Sequence, residues 1–371
     1  MKYDFLIVGA GLAGSVCAER IATLLNKKVL IIDKRDHIGG NCYDFMDDNG
    51  IVVHKYGPHI FHTNSKIVWD YLSNFTEWHI YFHKVLALVE DSFVPVPFNF
   101  NSIVRLFPKK FAQKIISKLL QNYNYGTKIP ILDFLETEDK DLKFLAEYVY
   151  KNVFYGYNIK QWGKKPEDLD HSVSARVPVF LSRDDRYFQD YYQAIPSLGY
   201  TAMIEKILNN KNIDLRLNCS FKDLADNSFD KLIYTGPIDE YFDYSFGALP
   251  YRTINFDIQN IEKVQFQKVA QVNYPNNFDF TRITEFKHFL DNKSDRTTVA
   301  FEYSAEHQIG INEPYYPVPM ESSNLTLKLY NQEAEKLKNT FFIGRLAEYK
   351  YYNMDQIIRS ALGFIEKLIN D

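Results

Sequence analysis

Apolar positions along the 371-residue chain change their spacing several times, and each change predicts a different kind of element. Phe5 to Val8 is a short unbroken apolar run closed by Gly9, and from Ala13 to Leu25 apolar residues recur at helical spacing until Asn26 and two lysines end them. "KVLII" follows, so the chain opens as strand, glycine turn, helix, strand. From about 95 to 185 the pattern turns helical, as in "FAQKIISKLLQNY" and "DLKFLAEYVYKNVF", broken by "NYGTKIP". Within 211–247, "IDLRLN" and "DKLIYTGPIDEYF" read as strands, and "RTINFDIQN", "KVAQVNYP" and "RTTVAFEYS" alternate as antiparallel strands do. At the far end, "TFFIGRLAEYKYYNMDQIIRSALGFIEKL" predicts a buried strand up to Gly344, a loop carrying Arg345, and an amphipathic helix. Asn353 and Gln356 have the spacing of a capping box, which sets the start of that helix. The predicted protein is α/β. One discontinuous domain is expected over 1–78, 190–240 and 325–371, a helical domain over 95–189, and an antiparallel sheet domain over 79–94 and 241–324.

Length changes little in this picture, since 371 residues suit two or three domains. Composition adds that aromatics are 16% of the chain, with 27 Tyr and 29 Phe, more than a core requires and suited to stacking on flat or sugar-like ligands. A net charge of −4 argues against a nucleic-acid partner, so any anionic ligand has to be met by a few placed arginines. Cys17, Cys42 and Cys219 form no CxxC pair, which implies neither a disulfide framework nor a zinc cluster and points to the cytoplasm. The opening apolar run is preceded by Asp4 and closed by Glu19 and Arg20. It is expected to be neither a signal peptide nor a membrane anchor.

The opening turn carries the first chemistry. Gly9, Gly11 and Gly14 form GxGxxG between a strand and a helix, and Asp33 ends the second strand 19 residues after Gly14. Gly9 permits the turn, Gly11 lets backbone approach a pyrophosphate, and Gly14 lets the helix pack close while its N-terminus faces the negative charge. Asp33 can accept ribose hydroxyls. Gly39 and Gly40, in "DKRDHIGGN", give a second close backbone approach. The combination resembles FAD-binding proteins of the glutathione-reductase type, and the cofactor contacts expected from it are Gly9, Gly11, Leu12, Gly14, Asp33, Lys34, Gly39, Gly40, Asn41, His59, Ile60, His62, Gly344, Arg345, Asn353, Met354 and Asp355. The helix opening near Asn353 would face the flavin pyrimidine and favour the anionic reduced ring.

"KYGPHIFHT" (55–63) raises the possibility of a metal pair at His59 and His62, but no cysteine or carboxylate lies close enough in sequence to complete a set, so no metal is expected. Together with "GYNIKQWG" (156–163), "ARVPV" (175–179), "RYFQDYYQAIPSLGYTAMIEKIL" (186–208), "YTGPIDEYFDYSFGALPYRTINF" (234–256), "EPYYPV" (313–318) and "GRLAEYKYYNMDQ" (344–356), the segment is similar to the UDP-galactopyranose mutase family almost end to end. That resemblance implies an isomerase that interconverts UDP-galactopyranose and UDP-galactofuranose. Reduced FAD would be the nucleophile at the anomeric carbon, through a flavin-sugar adduct and ring opening and reclosure without net redox change.

Residue roles follow from the same resemblance. Arg176 and Arg282 would hold the diphosphate, Arg176 on a mobile lid near 164–178; Phe154, Tyr157, Asn158 and Trp162 would bind uridine; Tyr187, Tyr316 and Tyr351 would reach the phosphates; Asn273 and His83 would lie on the substrate side; and His62 would support the flavin. His59 is expected to contact the cofactor and to favour plain galactose over the N-acetylated sugar. Asn353 stands where many family members have Asp, and His83 where some have Asn. A reductant such as NAD(P)H or a reductase, and a homodimer, are implied as partners. The rival reading is a flavin oxidoreductase of amine-oxidase type, which shares the FAD module but has no need of Arg176, Arg282 and the "GYNIKQW" segment.

Overall fold

The computed structural model describes residues 2–170, 177–224 and 229–370. Five parallel strands form one sheet in the order Ile213–Arg216, Val29–Ile32, Tyr3–Val8, Phe229–Tyr234, Thr340–Phe342. Both faces of the Val29–Ile32 strand are buried, which is why its sequence is a continuous apolar run with no alternation. Helices Leu12–Leu24, Gly199–Leu208 and Met354–Asn370 share one hydrophobic core against this sheet through residues such as Val16, Ile21, Ile204, Ile358 and Leu362. Residues from the two ends of the chain are thus packed into one layer pair.

A second sheet has seven strands, in the order Tyr316–Pro317, Tyr251–Ile261, Thr297–Glu306, Arg282–Glu285, Gln271–Asn273, Val85–Val89, Ser92–Val96. It is antiparallel except where Gln271–Asn273 runs parallel to Val85–Val89. Helices Lys109–Asn122 and Lys140–Val149 build a separate apolar cluster around Phe98, Ile115, Phe134 and Leu145. A three-stranded sheet joins Phe61–Thr63, Tyr192–Pro196 and Trp78–Ile80. Among the described residues no helix is long and apolar enough to cross a membrane.

Two local readings differ from the sequence pattern. "PIDEYF" leaves the Phe229–Tyr234 strand and turns into the short helix Ile238–Tyr241, because Pro237 stands just before it and the Asp239 carboxylate accepts the Leu249 N–H at 2.8 Å and the Tyr251 hydroxyl at 3.0 Å. The helix from Lys140 widens into a π-helical stretch at Tyr150–Tyr155 before regaining α geometry over Gly156–Trp162. Wider turns of this kind rotate the following side chains, and they recur at functional sites.

Candidate active site

Three cavities run in series, each sharing lining residues with the next. The first, about 350 Å3, is lined by the turn after the first strand (Gly9, Gly11, Leu12), by Asp33, Lys34, Gly39, Gly40 and Asn41, and by Gly344, Arg345 and Met354 from the far end. Its floor is bare backbone: a Cβ on Gly40, whose φ is +55°, would sit 3.0 Å from Gly11 Cα. The helix that begins at Leu12 has Gly11 as its N-cap and no side-chain cap, so its first-turn N–H groups are open to a ligand, and a helix terminus of this kind can hold an anion. Asp33 Oδ2 accepts the Ala10 N–H at 2.8 Å and its Oδ1 accepts the Arg35 N–H at 2.9 Å. Lys34 pairs with Glu313 at 2.9 Å.

The second cavity, about 340 Å3, shares His59, Arg345 and Met354 with the first. Ile60, His62, His83, Phe188, Asp190, Gln271 and Asn353 add to its walls. His62 Nδ1 faces Asp190 Oδ2 at 2.8 Å, and its ring stacks on Phe188 with centroids 3.6 Å apart. That hydrogen bond holds the Asp190 carboxyl below the usual carboxylate range, and it leaves Nε2 as the nitrogen available to a ligand. His59 and His83 are pushed down to about 3 by burial, so both are neutral at ordinary pH. Arg345 donates to the Tyr352 carbonyl at 2.7 Å, while its buried Nε lacks a partner where the first two cavities meet.

The third cavity, about 220 Å3, shares Tyr187, Arg282, Tyr316 and Tyr351 among others with the second, and its further lining includes Phe154, Tyr157, Asn158, Trp162 and Asn273. Arg282 Nε donates to Glu302 Oε2 at 2.6 Å, and the side chain of Glu302 is 2% exposed. Burial opposes the Arg282 charge, but Glu302 keeps the guanidinium firmly protonated. Tyr316 and Tyr351 meet edge to face at 5.2 Å beneath Trp162, and burial pushes the Tyr316 hydroxyl up to about 12, so it is a donor at ordinary pH.

Residues 152–351 match the family model described as UDP-galactopyranose mutase. The chain belongs to that family. Residues 7–75 match a second model, a NAD(P)-binding Rossmann-like domain. A probable UDP-galactopyranose mutase of Klebsiella pneumoniae is 36% identical over 99% of this chain and 95% of its own length, and a UDP-galactopyranose mutase of Mycoplasma genitalium is 35% identical over 100% and 95%. A dTDP-fucopyranose mutase of Escherichia coli is 35% identical over 96% of both chains. A crystal structure of reduced UDP-galactopyranose mutase superposes with a TM-score of 0.78 over 100% of this chain and 94% of its own, at 16% identity. Wild-type putrescine oxidase bound to putrescine has a TM-score of 0.60 over 100% of both chains at 11% identity, which speaks to the fold alone. The module of the first cavity is therefore a Rossmann-type dinucleotide site on a fold shared with oxidases.

Most residues expected from the family resemblance line one of the three cavities, and the exceptions have physical reasons. Gly14 lies off the first cavity; a Cβ there would come within 2.0 Å of the Gly9 carbonyl oxygen, so its place is helix-strand contact. Asp355 lines none of the three: its Oδ2 accepts the Thr63 hydroxyl at 2.9 Å and its Oδ1 the Gln356 N–H at 2.8 Å. Gln356 Oε1 in turn accepts the Asn353 N–H at 2.8 Å, the return half of the capping box. Arg176 lies outside the described residues, which resume at Val177, a residue on both the second and third cavities. His59 and His62 have separate partners, since His59 Nδ1 is 2.8 Å from the Gly57 carbonyl while His62 is held by Asp190. Asn273 and Arg282 are direct partners across two antiparallel strands. Sequence reasoning missed Phe188, Asp190, Gln271 and Glu302. Phe188 and Asp190 stand inside the quoted "RYFQDYY", but nothing in the chain order brings them to His62, 128 positions from Asp190.

Proposed function

We propose that this chain interconverts UDP-galactopyranose and UDP-galactofuranose with FAD in the first cavity. The observation that carries this reading is the continuity of the three cavities. A dinucleotide site, a second chamber that holds the neutral His59 and His83, and a third chamber walled by aromatic rings with a fixed arginine share walls at Arg345 and at Arg282. The residues fit FAD: a glycine floor that a Cβ would fill, an uncapped helix N-terminus for a pyrophosphate, Asp33 for a ribose, and the orphaned Arg345 Nε where the cofactor's ring would reach the second cavity. Bound in its reduced form, FAD supplies an electron-rich centre toward the anomeric carbon of the sugar.

The protein's own part is to bind, orient and stabilise charge. Arg282, kept protonated and aimed by Glu302, meets the diphosphate as it leaves, and a fixed cation at a developing anion lowers the barrier because it needs no reorganisation. Arg176 belongs to the same role. Tyr187, Tyr316 and Tyr351 add hydroxyl donors to the phosphates, while Phe154, Tyr157, Asn158 and Trp162 hold the base and Asn273 the substrate side. His62, oriented by Asp190 and Phe188, supports the cofactor with Nε2, and His59 and His83 offer uncharged hydrogen-bonding groups to the sugar. A reductant such as NAD(P)H or a reductase charges the cofactor. The three free cysteines, of which Cys17 and Cys42 are buried, support a reducing, cytoplasmic setting, and a homodimer is the assembly expected from the family.

The E. coli relative named for dTDP-fucopyranose supports a second reading at the level of the nucleotide sugar. One experiment separates the readings. The purified protein is reduced with dithionite and given either UDP-galactofuranose or dTDP-fucopyranose, and the products are resolved by chromatography. Conversion of the first at least a hundredfold faster is expected. Preference for the second sugar would reassign the substrate, and conversion of neither would sink the proposal.

A further inference from the structure

Lys160 lies in the middle of "GYNIKQW", on the helix Gly156–Trp162 that walls the third cavity, yet it does not line that cavity. Its ammonium group is instead inside the turn of the hairpin that joins Asn273 to Arg282. Nζ donates to the carbonyl oxygens of Tyr274, Phe278 (3.0 Å) and Phe280 (3.0 Å), three acceptors for three N–H groups. The same turn is pressed at two other points onto the helix start and the π-helical stretch before it. Asn276 Nδ2 donates to the Asn152 carbonyl at 3.0 Å, and a Cβ on Gly156 would lie 2.5 Å from the Pro275 carbonyl oxygen.

This geometry has a consequence for the cavity. One wall is the helix, with Tyr157, Asn158 and Trp162; the opposite wall is the hairpin, with Asn273, Pro275 and Arg282. The walls come from segments more than a hundred residues apart in sequence. We infer that Lys160 is a positioning residue for nucleotide binding: its protonated amine clips the hairpin to the helix and so sets the width of the cavity between them. The inference rests on the assignment of this cavity to the nucleotide made above.

An ammonium group has three donors to fill three carbonyls, whereas a neutral amine has two donors and presents a lone pair to the third oxygen. Burial pushes Lys160 down to about 8, against the raising effect of Asp279 in the turn. Among the described residues, the Arg252 guanidinium of the strand Tyr251–Ile261 meets the main chain of this residue rather than its amine, Nη2 donating to the Lys160 carbonyl at 3.2 Å; Tyr274, raised by burial, is the titratable residue whose carbonyl the amine holds. The sign follows: the clip is complete below pH 8 and is lost as pH rises through it.

The test uses the oxidised holoenzyme and UDP as the probe, with affinity measured by calorimetry from pH 6.5 to 9.5. Affinity of the unaltered protein is expected to fall by about tenfold between pH 7 and pH 9, since only the protonated fraction is competent. Lys160→Arg, which stays charged, flattens the fall. Asp279→Asn, at an exposed turn position, moves its midpoint to lower pH. In turnover, Lys160→Met raises KM for the nucleotide sugar about tenfold or more while kcat at saturation changes less than threefold. The same fall in Lys160→Arg, or an unmoved midpoint in Asp279→Asn, would overturn the inference. Binding of UDP that does not vary with pH would overturn the clip alone. Absence of UDP binding at every pH would remove the nucleotide reading and the clip together.

Discussion

The first cavity and the two beyond it are built from different parts of the polypeptide. The first is largely backbone: Gly9, Gly11, Gly39 and Gly40 provide close approach, and the open end of one helix provides polarity, so the essential pieces lie within about forty residues. The second and third are side chains brought from four distant stretches, with His62 held by Asp190, Arg282 by Glu302, and Tyr316 set against Tyr351. A site made of backbone is insensitive to most substitutions but fails wherever a Cβ is added. A site made of paired side chains fails when one partner of a buried pair is removed.

Four measurements press on this difference. The largest effect is expected for Arg282→Ala, with kcat/KM for UDP-galactofuranose down by about 10³-fold and FAD content unchanged. The same substitution leaves Glu302 buried and unpaired, which costs about 3–5 kcal/mol and shows as a lowered Tm. Unaltered kcat/KM would remove Arg282 from the site. Next comes Gly9→Ala, where φ is +104° and the new Cβ would fall 2.1 Å from Thr235 Oγ1. That hydroxyl is tied to the Val8 carbonyl at 2.7 Å and has little room to turn away. Protein purified from this variant is expected to carry less than a tenth of the normal flavin by absorbance, while calorimetry still detects UDP in the far chamber. Retained flavin would contradict a backbone-built first cavity.

His62→Ala is expected to lower kcat by about 10²-fold and to keep both FAD and UDP binding, and Asp190→Asn, which replaces the orienting carboxylate by an uncharged amide, to lower it less. Equal or opposite effects would argue against orientation as Asp190's role. Added chelator is expected to change nothing in either. The last test reads stability, with no effect on turnover at neutral pH. His54, His59 and His83 are pushed down to about 3 by burial, so between pH 6.5 and 3 the unfolded chain binds protons that the native chain does not. Stability is therefore lost as pH falls, by about 1.4 kcal/mol per pH unit for each histidine that ionises only on unfolding. A Tm that drops steadily from pH 7 to 5, with a shallower slope in His83→Asn, is the expected result; equal slopes would show that His83 charges without unfolding.

Much of the first cavity was readable because local rules govern it. The GxGxxG turn, Asp33 at the end of the second strand and the capping pair Asn353 and Gln356 are each short-range patterns with one structural solution. Reading "PIDEYF" as strand failed because Asp239 finds partners at Leu249 and Tyr251, ten and twelve residues on, that no local window weighs. Asp355 is expected at the cofactor from its motif; its carboxylate, which the helix start turns onto Thr63 and Gln356, is the part that local order does not reveal. The π-helical stretch at Tyr150–Tyr155 left no spacing signal, since one widened turn hardly disturbs an apolar pattern.

Taken by itself, the amino-acid order determined most of the strands and helices, that a dinucleotide module opens the chain, and which motifs tie it to a mutase family. Those properties depend on neighbours three or four positions apart, or on blocks long enough to be matched whole. Only the tertiary structure decided that Asp190 aims His62, that Glu302 holds Arg282, and that Lys160 closes three carbonyls of a hairpin more than a hundred positions away. The reason is physical. Buried polar groups must find partners, and which partner each finds depends on how distant strands and helices come to lie side by side.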